Sequence, residues 1–284
     1  MTGNQRTRFV GVLLALAGAF SSPAAVSAAS TAATTAPAVL ALNFDDQSLN
    51  TIITNPIVRG SAADLVTAST LTLNQGKATT QAGAPGSGRS MRLPAYTRLS
   101  SASPLAVVSI RNKAGSNDPL NPGRKRFTFM ADFSLDDVSS NAPSNSDGDN
   151  IFQRGISPNT QWQLSVDGHR ARCAVRTAGA SAQIRTPAIE IPRKTTNRSW
   201  YRAVCLRDTD AAGTLTLTVS YYDTAARTWK YLQSTRVKGT AGDLSMSRTI
   251  PLSIGGKLNN NNTIQRSAPD QFNGLVDNVR LIIG

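Results

Sequence analysis

Apolar and polar residues alternate through most of this chain. In Phe127–Leu135 (FTFMADFSL), residues Phe127, Phe129, Ala131, Phe133 and Leu135 fall on every second position, a period of two that predicts a strand with one buried face. The rhythm returns in Trp162–Val166 and in Leu215–Tyr222. In Arg170–Arg176, Ala171, Cys173 and Val175 share a face with arginines opposite, and in Trp200–Arg207 (WYRAVCLR), Ala203 and Cys205 share a face. Asp167-Gly168 marks a hairpin turn between two of these runs. Shorter runs at Val39–Phe44, Met91–Ala95, Leu105–Ile110, Asn150–Gly155, Ile184–Ile191 and Trp229–Leu232 predict further strands, with weaker alternation over residues 50–74. Gln75–Ser90 and Lys113–Lys125 have the Gly, Pro and Ser of loops.

The end of the chain alternates again. Leu275, Val279 and Leu281 fall on one face of the last strand, and Val276, Asn278 and Arg280 on the other. A strand that ends the chain must pair with strands made much earlier. No amphipathic helical period stands out, beyond a turn near Ala241–Met246. Many short strands with turn signals between them define an all-β, antiparallel β-sandwich.

The first 28 residues do not belong to that pattern. Arg6 and Arg8 precede the apolar run Phe9–Phe20, and Val26-Ser27-Ala28 supplies small residues before a cleavage point. That is a secretory signal peptide, too short in its apolar core to span a bilayer. The expected organisation is a signal peptide over 1–28, a flexible lead over 29–37 and a single sandwich domain over 38–284, secreted and without a membrane anchor in the mature chain. Two cysteines, Cys173 and Cys205, allow one intramolecular pair, and an exported protein favours forming it. Both point inward by the alternation. Adjacent antiparallel strands lie about 4.7–4.9 Å apart while stacked sheets lie about 10 Å apart, so the expectation is two neighbouring strands of one sheet with the cysteines opposed. Lysine and arginine number 30 against 17 acids, a net charge of +13, which falls to +11 without Arg6 and Arg8. The arginines are scattered and form no dense run, a pattern of solubility rather than of nucleic-acid binding.

The order of motifs carries a resemblance. FTFMADFSL, NIFQRG, WQLSVDG, RARCAVR, SWYRAVCLRD, LTLTVSYYD, PLSIGG and DQFNGLVDNVRL together resemble the laminin-G-like, concanavalin-A-like lectin/glucanase jelly roll of secreted bacterial proteins. The likeness covers residues 127–284 well and 38–110 only through the opening strand and its FDD turn. It implies that DQFNGLVDNVRL closes the sandwich. The fold hosts lectins, adhesins, enzymes and spacers, so it does not choose among them.

The chemistry narrows the choice. A glycosidase needs two carboxylates flanking the bond. This chain has a single glutamate, Glu190, without an acidic neighbour, and a single histidine, His169, in a turn. No strand carries a D-x-D pair and no G-x-S-x-G motif is present, so no catalytic residue is assigned. Asp45 and Asp46 end the first strand, and Asp277 interrupts the last. Sandwiches of this kind often bring their terminal strands together, which would give a hard-oxygen site for a structural calcium ion. Asp147-Gly148-Asp149-Asn150 lacks the remaining calcium-loop ligands. Trp162, Trp200, Trp229, Tyr221, Tyr222 and Tyr231 are candidates for sugar stacking or, more simply, for core packing. The expected function is a secreted non-catalytic sandwich that binds glycan or cell-surface polymer, through rim loops such as Lys113–Lys125 and Asn259–Ser267. A structural or protein-interaction module is the alternative, and a glycan-cleaving enzyme a third.

Overall fold

The computed structural model describes residues 37–97, 100–136, 149–193, 195, 199–240 and 242–284. The segment expected to be a signal peptide, the lead up to residue 36 and Asp147-Gly148 lie outside the described residues. Two eight-stranded sheets pack face to face, and every pairing between named strands is antiparallel. Sheet A holds β1 (Leu40–Leu42), β3 (Thr79–Ala82), β4 (Arg89–Arg92), β6 (Phe127–Leu135), β12 (Tyr201–Arg207), β13 (Thr214–Asp223), β14 (Thr228–Lys238) and β16 (Gly274–Ile283). Its order is β14-β13-β12-β6-β16-β4-β3, with β1 also on β16. Sheet B holds β2 (Val66–Leu73), β5 (Leu105–Asn112), β7 (Asp149–Gly155), β8 (Gln161–Asp167), β9 (Arg170–Arg176), β10 (Ile184–Arg185), β11 (Ile189–Glu190) and β15 (Leu252–Ile254). Its order is β10-β9-β8-β7-β15-β5-β2, with β11 on β9. Among the described residues there is no α-helix, only a 3-10 turn at Ala63–Leu65.

The last strand does join the earliest ones: β16 pairs with β1, β4 and β6. Its strict alternation does not hold. A bulge between Asp277 and Arg280 shifts the register, with Asn278 in the left-handed region at φ 48°. The extra residue resets the pleat. Val276, Val279 and Leu281 therefore face the core, and Leu275 packs outside it against Trp200, Tyr222 and Ala84.

The core between the sheets is aromatic at its centre. Trp162 of β8 is fully buried, with ring centroids 4.9 Å from Phe129 and 5.2 Å from Phe152. Contacts of this kind add about 0.5–1.5 kcal/mol each beyond burial. Buried arginines brace the loops around the core. Arg207 donates to Thr240 O, Gly242 O and Lys125 O, and Arg154 pairs with Asp118 at 2.7 Å. The segment 113–125 is thus anchored at Asp118 and at the fully buried Leu120, while its two ends are exposed.

Cys173 and Cys205 form a disulfide with Cα atoms 5.8 Å apart. The expected strand order is wrong. Cys173 lies on β9 of sheet B and Cys205 on β12 of sheet A, so the bond crosses the core and staples the sheets together. The small neighbours Ala171 and Ala203, both fully buried, leave room for facing strands to approach more closely than the usual sheet spacing. The loop-closure model credits a bridge over 32 residues with about 3–4 kcal/mol.

Three more sequence readings change. β3 lies inside the stretch read as loop, because TTQA has no apolar alternation and is held by its backbone ladder to β4. Ile184–Ile191 is two strands of two residues, broken at Thr186-Pro187. The turn after Asp167 has Gly168 and His169 as its central pair, at φ 52° and 61°, with Asp167 opposite Arg170.

Candidate functional site

Register alone places a row of side chains across the outer face of sheet A. Asp277 is opposite Asp132, Asp132 is opposite Arg202, and Arg202 is opposite Ser220. Phe133, Tyr201 and Val276 point into the core, so their neighbours in sequence point out. Asp132 and Asp277 are both 1% exposed. Two like charges directly opposite each other repel, and the structure answers in two ways. The Arg202 guanidinium grips Asp132 with a two-pronged bond, Nε to Oδ1 at 2.6 Å and Nη2 to Oδ2 at 2.8 Å. Asn278, brought round by the bulge, donates its Nδ2 to Asp132 Oδ2 at 3.0 Å and to Asp277 Oδ2 at 3.1 Å.

The two carboxyls titrate differently. Burial pushes Asp132 up, and the bonds and charge of Arg202 hold it back. Asp277 is pushed up to about 8, chiefly by burial and then by the charges of Asp132 and Asp45, against the opposing bonds from Asn278 and Ser87. Arg202 bonds to Asp132, and Asp277 is the carboxyl pushed up to about 8, so the proton at neutral pH belongs on Asp277.

The sequence-predicted acids divide. Asp45 sits near Asp277 and seats the β3–β4 turn: its Oδ1 accepts from Arg89 N at 2.7 Å and its Oδ2 from Asn43 Nδ2 at 3.0 Å. Gly88 there has φ 82°, and a Cβ would lie 2.0 Å from Asp45 Oδ1. Asp46 is taken by Arg59. Among the described residues no group of three or more His, Cys, Asp or Glu side chains is arranged to hold a metal ion. Glu190 is exposed on β11, apart from this row.

An aromatic row runs beside the charged one. Trp200 and Tyr222 are buried together with Ala84, and Trp229 packs on them half-buried. Tyr222 and Trp229 meet edge to face at 5.5 Å, and the Arg202 guanidinium carbon lies 4.3 Å from the Trp229 ring centroid. One arginine therefore joins the acids to the aromatics. Trp229, Tyr222 and Arg227 line an open cleft of about 550 Å³ whose other wall is the turn Ala84–Ser87. Trp162 is core, as packing predicts. Trp200 is buried, but outside the main core on the outer face of sheet A. Trp229 and Tyr231 are not core, and Tyr231 is 47% exposed.

Asp132 and Arg202 were not singled out by sequence. Their signal was present: a charged residue at the outward position of a strongly alternating strand. Searching for two acids within one strand missed a pair that forms across two.

Neither a family model nor a curated protein sequence matches this chain. Solved structures do. The binding domain of Paraclostridial Mosquitocidal Protein 1 aligns with TM-score 0.50 and 9% identity over 87% of this chain and 48% of its own. The binding domain of Botulinum Neurotoxin DC in complex with SialylT aligns with TM-score 0.50 and 8% identity over 88% and 48%. A botulinum neurotoxin type C structure, from work describing dependence upon interaction with two ganglioside molecules, aligns with TM-score 0.50 and 12% identity over 89% and 49%. This chain spans about half the length of these structures. At such identities the likeness is one of fold, a β-sandwich compatible with the jelly roll that the motif order suggests. Among the described residues no helix is long and apolar enough to cross a membrane.

Proposed function

We propose that this chain is a secreted, non-catalytic β-sandwich that binds glycan or cell-surface polymer, with the Trp229 cleft as the place where a sugar ring docks. The observation that carries the reading is the half-buried Trp229 at an open cleft, held by Tyr222 on its edge and by Arg202 over its ring. A fixed aromatic surface loses little entropy when a pyranose stacks on it, and nearby charged and hydroxyl groups orient the sugar. Arg227 and Ser87 supply such groups at the cleft wall. The similar structures lend support through what they bind: one toxin binding domain is in complex with SialylT and another toxin interacts with gangliosides. Secretion rests on the signal-peptide pattern of the first 28 residues.

A glycan array probed with the wild-type protein and with Trp229→Ala tests this. Wild type is expected to bind a defined set of glycans, and the variant to lose about tenfold in affinity, as removal of a stacking aromatic implies. Equal binding by both proteins would remove the cleft from the account.

A further inference from the structure

We propose a second ligand site on the opposite sheet: a polar cleft of about 390 Å³ on the outer face of sheet B that takes a saccharide unit bearing a carboxylate or a sulfate. It does not depend on the Trp229 cleft.

Register builds its floor. Ser69, Ser109, Ser253, Gln153, Gln163, Ala174 and Arg185 stand opposite one another in turn across seven strands, from β2 to β10. Core-facing neighbours such as Val108, Ile254, Phe152 and Leu164 point the other way. Half of this row is covered by the segment between β15 and β16. Ser109 is hydrogen-bonded to Asn262, and Leu258 and Ile264 pack on Leu105 and Val107. The cleft opens where that cover stops, with Gln161, Gln163 and Arg185 on the sheet and Lys257 and Gln265 on the covering segment.

Two independent features point to an oxyanion-bearing sugar. The first is charge. Arg176, Arg185 and Lys257 line the cleft against one carboxylate, Asp270, which is already held by Lys257 at 2.5 Å and Asn150 at 3.1 Å. Arg176 is fixed by Ala180 O and Ser181 O. Arg185 is exposed and, among the described residues, bonds through its Nε to Gln183 at 2.9 Å, which leaves its terminal amino groups for a ligand anion. The second is unsatisfied amides. Gln161 is 4% exposed; its Nε2 donates to Gln163 Oε1, and its Oε1 has no hydrogen-bond partner among the described residues. Gln183 Nε2 and Gln265 Oε1 at the same cleft also lack partners. Each buried polar atom left unpaired costs about 1–3 kcal/mol, so three around one cleft mark a surface made to be completed. Sugar hydroxyls both donate and accept, and match these amides once the side chains turn their unpaired atoms into the cleft. A carboxylate or sulfate matches the guanidinium of Arg185 in a charge-assisted, two-pronged bond.

Calorimetric titration of the full protein tests the site with three tetrasaccharides: a galacturonate chain, a sulfated chain and a neutral glucan. At least one acidic probe is expected to bind, and which of the two binds assigns the anion. Arg185→Gln, at an exposed position, is expected to weaken that binding by about tenfold. Gln163→Leu is expected to weaken it as well. Circular dichroism checks that each variant is folded. Binding by neither acidic chain would overturn the proposal, as would equal binding of the neutral glucan or undiminished binding in both sheet B variants. Competition by a single-stranded oligonucleotide with affinity equal to the sugar's would also overturn it, because attraction would then be to charge alone.

Discussion

The two sheets share a core but turn unlike faces outward. The outer row of sheet A is ionic and settled within itself: Asp277 and Asp132 are buried, linked by Asn278, and the half-buried Arg202 holds Asp132 and lies over Trp229. The outer row of sheet B is uncharged along most of its length, built of serine and glutamine, and among the described residues Gln153 in it and Gln161, Gln183 and Gln265 beside it each keep an amide atom without a partner. A buried charge must be compensated inside the protein, because leaving it unpaired costs several kcal/mol. A buried amide left short costs less, about 1–3 kcal/mol, so a face can carry a few of them. Sheet A therefore positions an aromatic surface, and sheet B offers hydrogen bonds.

The largest expected difference between the faces is in pH dependence. Asp277 is pushed up to about 8, against about 3.9 for an unfolded aspartate. Between those values the folded protein holds a proton that the unfolded chain does not. Stability is therefore fully present below about pH 4, falls by up to about 1.4 kcal/mol per unit as pH rises, and levels off above about pH 8. The total is on the order of 5–6 kcal/mol at most. Urea melts at pH 5, 6, 7 and 8 are expected to show this decline in wild type and a flatter profile in Asp277→Asn. An unchanged slope in the variant would place the proton elsewhere.

Next in size is the contrast between two arginines. Arg202→Leu leaves Asp132 buried without its cation, a loss on the order of 3 kcal/mol. Arg185→Leu on sheet B removes an exposed side chain and is expected to change stability by less than about 0.5 kcal/mol. Denaturant midpoints of the two variants measure this directly, and equal losses would erase the distinction between a self-compensated face and an open one.

The smallest expected effect is that of calcium. With Asp46 on Arg59 and both oxygens of Asp45 accepting N–H donors, added calcium is expected to leave the melting temperature unchanged. A rise reversed by chelator and absent in Asp277→Ala would instead favour the three-aspartate site that the sequence suggested.

How much of this was legible in the sequence follows from what strand periodicity reports. Alternation in FTFMADFSL found β6 with its core face, and the terminal segment found its early partners. Periodicity does not report which strands are neighbours. Cys173 and Cys205 both faced inward as read, yet they meet across the sheets, because inward-facing residues of either sheet share one core. The bulge at Asn278 inverted the face of Leu275 through one residue at positive φ, which apolar spacing cannot show. The candidate site was legible only in part. Asp277 stood out as an acid in an apolar strand, but Asp132, its partner by register, is 145 residues away in sequence. Glutamine and serine in Gln153, Gln163 and Ser253 read as ordinary outward polar positions until pairing placed them in one row.

The most direct measurement is a titration of the isotope-labelled protein with the strongest glycan from the array, followed by amide chemical shifts. Perturbations are expected to gather at Ala84–Ser87, Tyr222 and Arg227–Trp229, and to vanish in Trp229→Ala. Shifts that leave Ala84–Ser87, Tyr222 and Arg227–Trp229 unmoved, or that persist there in Trp229→Ala, would contradict a glycan site on the outer face of sheet A.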